Sequence, residues 1–268
     1  MSIYYICDYI YKKNYVMFKK FFQALATGCS GTWVGKLFYS NEEMVDYAID
    51  NKLEIEVFDQ ASQKKLTEEQ ITKILQTHEG EPTQELVKNY ELTEAQQIIL
   101  CSKKNTLLIE NYLAPTGYLE RALCPEAEFI YVETMINKTS NIGIEMFKTY
   151  VDNNKKTILT DELLKIALEK ISSSKEEAIA AKYLIQRAYF TEAQEVYLLE
   201  HSTFEMMEEY LAIKQIYQEE SQIRLVEKFY ELAKIHQEDY GLRPKALQLY
   251  RSKRKEELQI LHPEGAVP

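Results

Sequence analysis

Chemistry needs nucleophiles, acids, bases or phosphate cradles at short, specific spacing, and residues 28–38 come nearest to supplying them. This stretch, GCSGTWVGKLF, holds three of the eight glycines and the only tryptophan. It approaches the phosphate-binding loop GxxxxGK[ST], in which backbone amides cradle a phosphate and a hydroxyl holds magnesium. It misses at both ends. Ser30 stands where the first glycine is needed, and Leu37 follows Lys36 in place of the hydroxyl. The nucleophile elbow GxSxG fails as well, because Thr32 replaces its last glycine. A structured turn with Trp33 as a packing anchor accounts for the stretch, with Trp33 to Phe38 open to a short strand.

Metal ligands are no better placed. The cysteines are Cys7, Cys29, Cys101 and Cys124, with no CxxC pair, and the histidines His78, His201, His236 and His262 are scattered. Zinc needs ligands at short, paired spacing, so no metal site is expected and the cysteines read as reduced core thiols. Paired carboxylates are the remaining route to acid–base chemistry. Glu110 and Glu208 recur at matching places, with Glu209 beside the latter. Recurrence in matching places speaks for a structural role. The sequence therefore yields no catalytic, cofactor-binding or metal residues, and no cofactor is expected.

The elements that would position any such groups are more legible. Leu92 to Ala114 reads LTEAQQIILCSKKNTLLIENYLA, and Phe190 to Ala212 reads FTEAQEVYLLEHSTFEMMEEYLA; the two align without a gap and are identical at nine positions. Thr67-Glu68-Glu69-Gln70, Thr93-Glu94-Ala95-Gln96 and Thr191-Glu192-Ala193-Gln194 share the capping-box pattern T-x-x-Q. There the Thr hydroxyl accepts the third helical amide, and the Gln reaches back to the cap amide. Three helix starts follow, with Thr160 a fourth that lacks the Gln. Pro125 and Pro244 start two more, at the first helical position where a missing amide costs little, in the paired segments LCPEAEFIY and LRPKALQLY.

Within the copies, Ala95, Ile98 and Ile99 form a first apolar stripe matched by Ala193, Val196 and Tyr197. Leu108, Ile109, Tyr112 and Leu113 form a second, matched by Met206, Met207, Tyr210 and Leu211. Asn105 and Thr203 stand between the stripes as N-caps. Each copy is thus two short helices joined by a polar turn, an αα-hairpin, and Pro115-Thr116-Gly117 closes the first. Unit starts fall near residues 40, 66, 92, 124, 159, 190, 218 and 243. The irregular period, about 25–35 residues, is that of stacked helical repeats. Insertions are expected around Gly80-Glu81-Pro82 and Ser172-Ser173-Ser174.

Composition agrees. With 46% hydrophobic residues, only eight Gly and six Pro, and a mean hydropathy of -0.37, the chain suits long helical runs with an ample core. A net charge of -10 lacks the basic excess that phosphate contacts require, which speaks against nucleic acid as a partner. The basic run Arg251-Ser252-Lys253-Arg254-Lys255 is followed at once by two glutamates and reads as a solvated helix face.

No apolar run reaches the length of a membrane span. The segment MFKKFFQALATGC from Met17 loosely follows a lipoprotein signal ending at Cys29. Its apolar run is short and broken by Gln23, so export through Cys29 is not expected. A buried helix with Phe18, Phe21, Phe22 and Leu25 on its apolar face is expected instead, in a cytoplasmic protein.

In these features the chain resembles helical-hairpin repeat proteins of the broad tetratricopeptide and HEAT-like class. The resemblance covers about three quarters of the chain and is loose in motif, since the tetratricopeptide Trp and Leu-Gly signature is missing from every unit. It implies an architecture and a tendency to bind proteins, and no residue-level site. The expected fold is all-α, a superhelical stack of short αα-hairpins over residues 40–261. Residues 1–39 form an N-terminal helical cap or extension, and 262–268 a flexible tail. The expected function is a non-catalytic protein–protein interaction or scaffold module with a protein or peptide partner. The alternatives are an acidic protein that neutralises a basic partner, and an enzyme using paired carboxylates.

Overall fold

The computed structural model describes residues 41–52, 57, 60–64, 66–138, 142–174 and 178–261. The expected cap over 1–39, the segment 28–38, Cys7, Cys29, His262 and the tail lie outside the described residues. Among those residues there are fourteen helices and no strand. They are α1 (Asn41–Asp50), α2 (Glu68–Thr77), α3 (Glu81–Asn89), α4 (Glu94–Ser102), α5 (Thr106–Leu113), α6 (Pro125–Asn137) and α7 (Ile144–Asn154). There follow α8 (Asp161–Ser173), α9 (Ile179–Arg187), α10 (Glu192–His201), α11 (Phe204–Leu211), α12 (Glu219–Lys228), α13 (Tyr230–Asp239) and α14 (Pro244–Leu261). The chain divides within α6 into two compact units, Met1–Ile130 and Tyr131–Pro268.

The helix starts are where local chemistry places them. Thr67, Thr93 and Thr191 each cap a helix through a complete capping box, and Thr160, Asn105 and Thr203 each accept one amide from the third helical position. Such caps contribute about 1 kcal/mol apiece. Pro125 and Pro244 open α6 and α14. The turn between α2 and α3 passes through Gly80 at φ 77°, a left-handed conformation that favours glycine. The insertion expected there is therefore a turn inside a hairpin, with Pro82 in the first turn of α3. The long spacing after the first copy comes instead from the non-helical segment 114–124.

Packing follows an alternating order in each unit. In the first, α1 packs on α2 and α2 on α4, while α3 packs on α5. In the second, α8 packs on α10, α10 on α12 and α12 on α14, while α7 packs on α9 and α11 on α13. The adjacent pairs α2–α3, α4–α5, α8–α9 and α12–α13 also touch, each forming a hairpin. Buried aliphatic side chains fill both units, each worth about 1.5–3 kcal/mol. The second unit adds Tyr131, Phe147 and Tyr150, which meet edge to face with centroids 6.0 and 5.4 Å from Tyr131.

The first apolar stripe differs from the sequence expectation. Ala95 and Ala193 are exposed, and Ile98, Ile99, Val196 and Tyr197 only half-buried. The core face of α4 carries Gln96, Gln97, Leu100 and Cys101, and that of α10 carries Gln194, Glu195, Leu198 and Leu199. The buried stripe thus opens with two polar residues. The second stripe holds as expected for Leu108, Ile109, Tyr112 and Leu113, and for Met207 and Tyr210 in the other copy.

Candidate functional site

The buried polar residues explain themselves through their partners. Each capping-box glutamine accepts its own cap amide through Oε1 and uses its Nε2 elsewhere. Gln70 donates to Asp46 Oδ1 at 3.0 Å, on α1. Gln96 donates to the Glu68 carbonyl at 3.0 Å and to Thr72 Oγ1 at 3.1 Å, on α2. Gln194 donates to Asp161 Oδ1 at 2.8 Å and to the Leu159 carbonyl at 3.2 Å, at the start of α8. A capping box accepts Glu as readily as Gln, but only the amide supplies the donor for the preceding helix.

Lysines tie the opposite ends. Lys103 donates to the His78 carbonyl beyond α2, and Lys228 to the carbonyls of Leu199, Glu200 and Ser202 at the end of α10. Lys253 donates to the carbonyls of Val226 and Glu227 at the end of α12. An ammonium at unpaired helix-terminal carbonyls is favoured by hydrogen bonding and by the helix dipole. Within the basic run, Arg251, Arg254 and Lys255 are exposed as expected, while Lys253 folds back onto α12.

The next position along the core face separates the two copies. Gln97 donates to the Leu92 carbonyl at 2.9 Å and to the Tyr112 hydroxyl at 3.2 Å, and accepts the Cys124 amide at 2.7 Å. Gln222 repeats the scheme, donating to the Ile216 carbonyl and accepting the Arg243 amide at 2.6 Å. These two glutamines hold the main chain just before Pro125 and Pro244, in the paired segments LCPEAEFIY and LRPKALQLY. The matching residue on α10 is Glu195, 7% exposed, whose Oε1 accepts the Tyr210 hydroxyl at 3.4 Å. Burial pushes its carboxyl above the usual carboxylate range, tempered by Ser221, Tyr210 and the charge of Lys214. The buried Ser221 hydroxyl makes no hydrogen bond of standard geometry.

Glu195 borders a cavity of about 510 Å³ in the second unit. Its walls are Lys155 at the end of α7, Gln186 and Arg187 of α9, Tyr189, Phe190, Tyr210 and the segment 213–218, with Tyr240. Lys214 donates to the Ala188 carbonyl at the end of α9 and rests over the rings of Phe190, Tyr210 and Tyr189, at 5.0, 5.7 and 5.9 Å. Desolvation, with Arg187 and Lys155 nearby, lowers its ammonium to about 8. Burial beside Glu195 pushes the Tyr210 phenol up. The counterpart in the first unit is Arg121, which caps the end of α3 through the Val87 and Lys88 carbonyls and stands 5.0 Å over the Tyr112 ring.

The residues singled out in the sequence are dispersed. Glu208 and Glu209 are exposed, and Glu209 pairs with Lys182 at 3.5 Å; Glu110 is half-buried on the other unit. His201 stacks on Tyr197 at the surface, 3.9 Å between centroids. His78 is buried, its Nδ1 2.9 Å from Thr77 Oγ1. His236 is buried too; its Nε2 accepts the Ile216 amide at 3.3 Å, and burial lowers its ordinary pKa. Cys101 is buried, and desolvation with Cys124 nearby raises its thiol to about 12. The sequence reading missed Lys155, Arg187, Glu195 and Lys214. The one visible signal was Glu195 standing opposite Gln97 in the aligned copies.

No helix among the described residues is long and apolar enough to cross a membrane. Comparison with models of known families, with curated proteins and with solved structures finds no match for this chain.

Proposed function

We propose that the chain is a non-catalytic interaction module built from αα-hairpins stacked over residues 40–261, with a protein or peptide partner. The observation that carries this reading is the pair of recurring ties. A glutamine at the helix start (Gln70, Gln96, Gln194) or a lysine further along (Lys103, Lys228, Lys253) reaches back to an earlier helix, from α2 to α1, from α4 to α2, from α10 to α8, from α12 to α10 and from α14 to α12. Such a scheme satisfies polar groups between neighbouring hairpins, and a row of hairpins offers an extended face for a partner. Of the residues that the two copies share, Thr and Gln are spent on capping and the ties, and Leu100, Leu198, Tyr112 and Tyr210 on packing. Exposed aromatic and aliphatic side chains flanking the second copy, among them Tyr189, Ile213 and Tyr217, are of the type that contributes contact area at interfaces.

The test is affinity capture from the native cell at near-physiological salt, with mass spectrometry of what is retained. The reading expects a defined partner, lost when Tyr189 and Tyr217 are both changed to Ser. Retention of no specific protein, or a partner indifferent to that change and to charge reversal on the exposed faces, would contradict it.

A further inference from the structure

The cavity of the second unit carries a charge opposite to that of the chain. The protein bears a net charge of -10, yet Lys155, Arg187 and Lys214 reach the same cavity from three separate segments. Among its lining residues, Glu195 alone is acidic. Asp152, just outside, accepts the Arg187 Nε–H at 2.9 Å and the Tyr183 hydroxyl at 2.8 Å. That ion pair is single-pronged, made through Nε alone. Three cations set against the carboxyls of Glu195 and Asp152 leave about one positive charge over.

The cations are also incompletely used. Lys155 Nζ lies 5.9 Å from the centre of the Tyr189 ring and makes no hydrogen bond or ion pair among the described residues. Lys214 gives one N–H to a carbonyl, whereas Arg121 in the first unit spends its guanidinium on three carbonyls. Both ammonium groups stand 5.9 Å from the centre of the Tyr189 ring. Cations held at such rings in a partly desolvated site favour an anion over solvent. The mouth is apolar: Tyr189, Ile213, Tyr217 and Tyr240 are 54%, 53%, 64% and 52% exposed. A cavity of about 510 Å³ is within the usual size of a small-ligand pocket.

We propose that this cavity binds a carboxylate carried on an aromatic or apolar body. The carboxylate meets Lys155 and Lys214, and the body lies along Tyr189, Phe190, Ile213 and Tyr217. The single surplus charge matches a monoanion better than a phosphate dianion. The inference stands on the cavity and does not depend on the hairpins forming one stack or on a protein partner.

The experiment titrates the full chain with N-acetylphenylalanine, with N-acetylphenylalaninamide and with inorganic phosphate, followed by chemical-shift changes in the protein. The acid is expected to bind at least about tenfold more tightly than the amide or phosphate, a difference of about 1.4 kcal/mol. Lys155→Glu is expected to remove that preference and Lys155→Gln to weaken it, while Lys255→Glu on α14 leaves it unchanged. The Lys155 ammonium makes no hydrogen bond among the described residues, its carbonyl accepts the Tyr189 amide whatever the side chain, and an unaltered circular dichroism spectrum shows that both variants fold. Equal binding of acid and amide overturns the proposal, as does phosphate binding as tightly as the acid, or a Lys155→Glu variant that retains the preference. A further arm uses N-acetyl-Ala-Ala-Ala-Phe. Binding tighter than that of N-acetylphenylalanine identifies the source as a peptide chain end, and equal binding a small carboxylate; either supports the proposal.

Discussion

The two copies share a frame and differ at its centre. In the first, Gln97 joins the Leu92 carbonyl, the Tyr112 hydroxyl and the Cys124 amide, and Arg121 closes the end of α3. An amide both donates and accepts, so this centre is neutral and hydrogen-bonded on every side. In the second, Glu195 accepts a long bond from Tyr210 with the Ser221 hydroxyl beside it, and Lys214 takes the place of the arginine beside an open cavity. Burying a carboxyl and an ammonium with few partners costs stability. The first centre is built to hold hairpins together, while the second gives up part of that role and gains unspent charge.

The largest expected effect breaks the neutral centre. Gln97→Leu strands the Leu92 carbonyl, the Cys124 amide and the Tyr112 hydroxyl, and costs at least about 3 kcal/mol by urea denaturation, at about 1–3 kcal/mol for each stranded group. Glu195→Leu removes a poorly partnered buried carboxyl and changes stability by about 1 kcal/mol or less. Equal losses in the two variants would contradict the contrast.

The capping-box glutamines separate the copies next. Gln194→Glu keeps the cap but faces Asp161 with a second carboxylate, and is expected to cost about 2–3 kcal/mol. Gln96→Glu meets the Thr72 hydroxyl, which can turn to donate, so its cost is about 1 kcal/mol. Thermal melts of both variants, with Gln96→Ala and Gln194→Ala as references, rank them.

Glu195→Gln converts the second centre toward the first. A carboxyl held above its ordinary 4.5 binds its proton more tightly in the folded chain than in the unfolded one. Stability is then favoured at low pH and declines as pH rises from 4.5 through the folded value. The variant is expected to lose this decline and to gain about 1 kcal/mol at pH 7. An unchanged pH profile would show that Glu195 is not strained by burial.

The smallest effect is expected at His236, on the same unit. Its folded pKa lies below the ordinary 6.5, so its contribution is full above pH 6.5. It is lost as pH falls through 6.5, because the unfolded chain takes up the proton first. His236→Gln should flatten that acid limb, measured as urea midpoints between pH 5 and pH 7.

Helix starts were legible because capping is local: Thr93 and Gln96 satisfy each other three residues apart, whatever lies around them. The first stripe was misplaced because periodicity assigns polar residues to solvent. Gln96, Gln97, Gln194 and Glu195 are buried through partners on other helices, which a hydrophobic pattern does not register. The lysine ties were equally hidden, since Lys228 and Lys253 look like surface charges until the helix ends beneath them are known. The cavity was illegible for a further reason. Lys155, Arg187 and Lys214 lie far apart in sequence, and packing of α9 on α7 accompanies their meeting at one cavity. Only the change from Gln97 to Glu195 marked the place, and the aligned copies carry many such changes.

The contrast between the centres is tested most directly by titrating the Lys214 ammonium, following its side-chain resonance by nuclear magnetic resonance and assigning it with Lys214→Arg. Burial among Phe190, Tyr210 and Tyr189, with Arg187 and Lys155 adding like charge, predicts a midpoint of about 8. A midpoint at the ordinary 10.5 would mean a solvated side chain, and would contradict a second centre that holds unspent charge in a desolvated cavity.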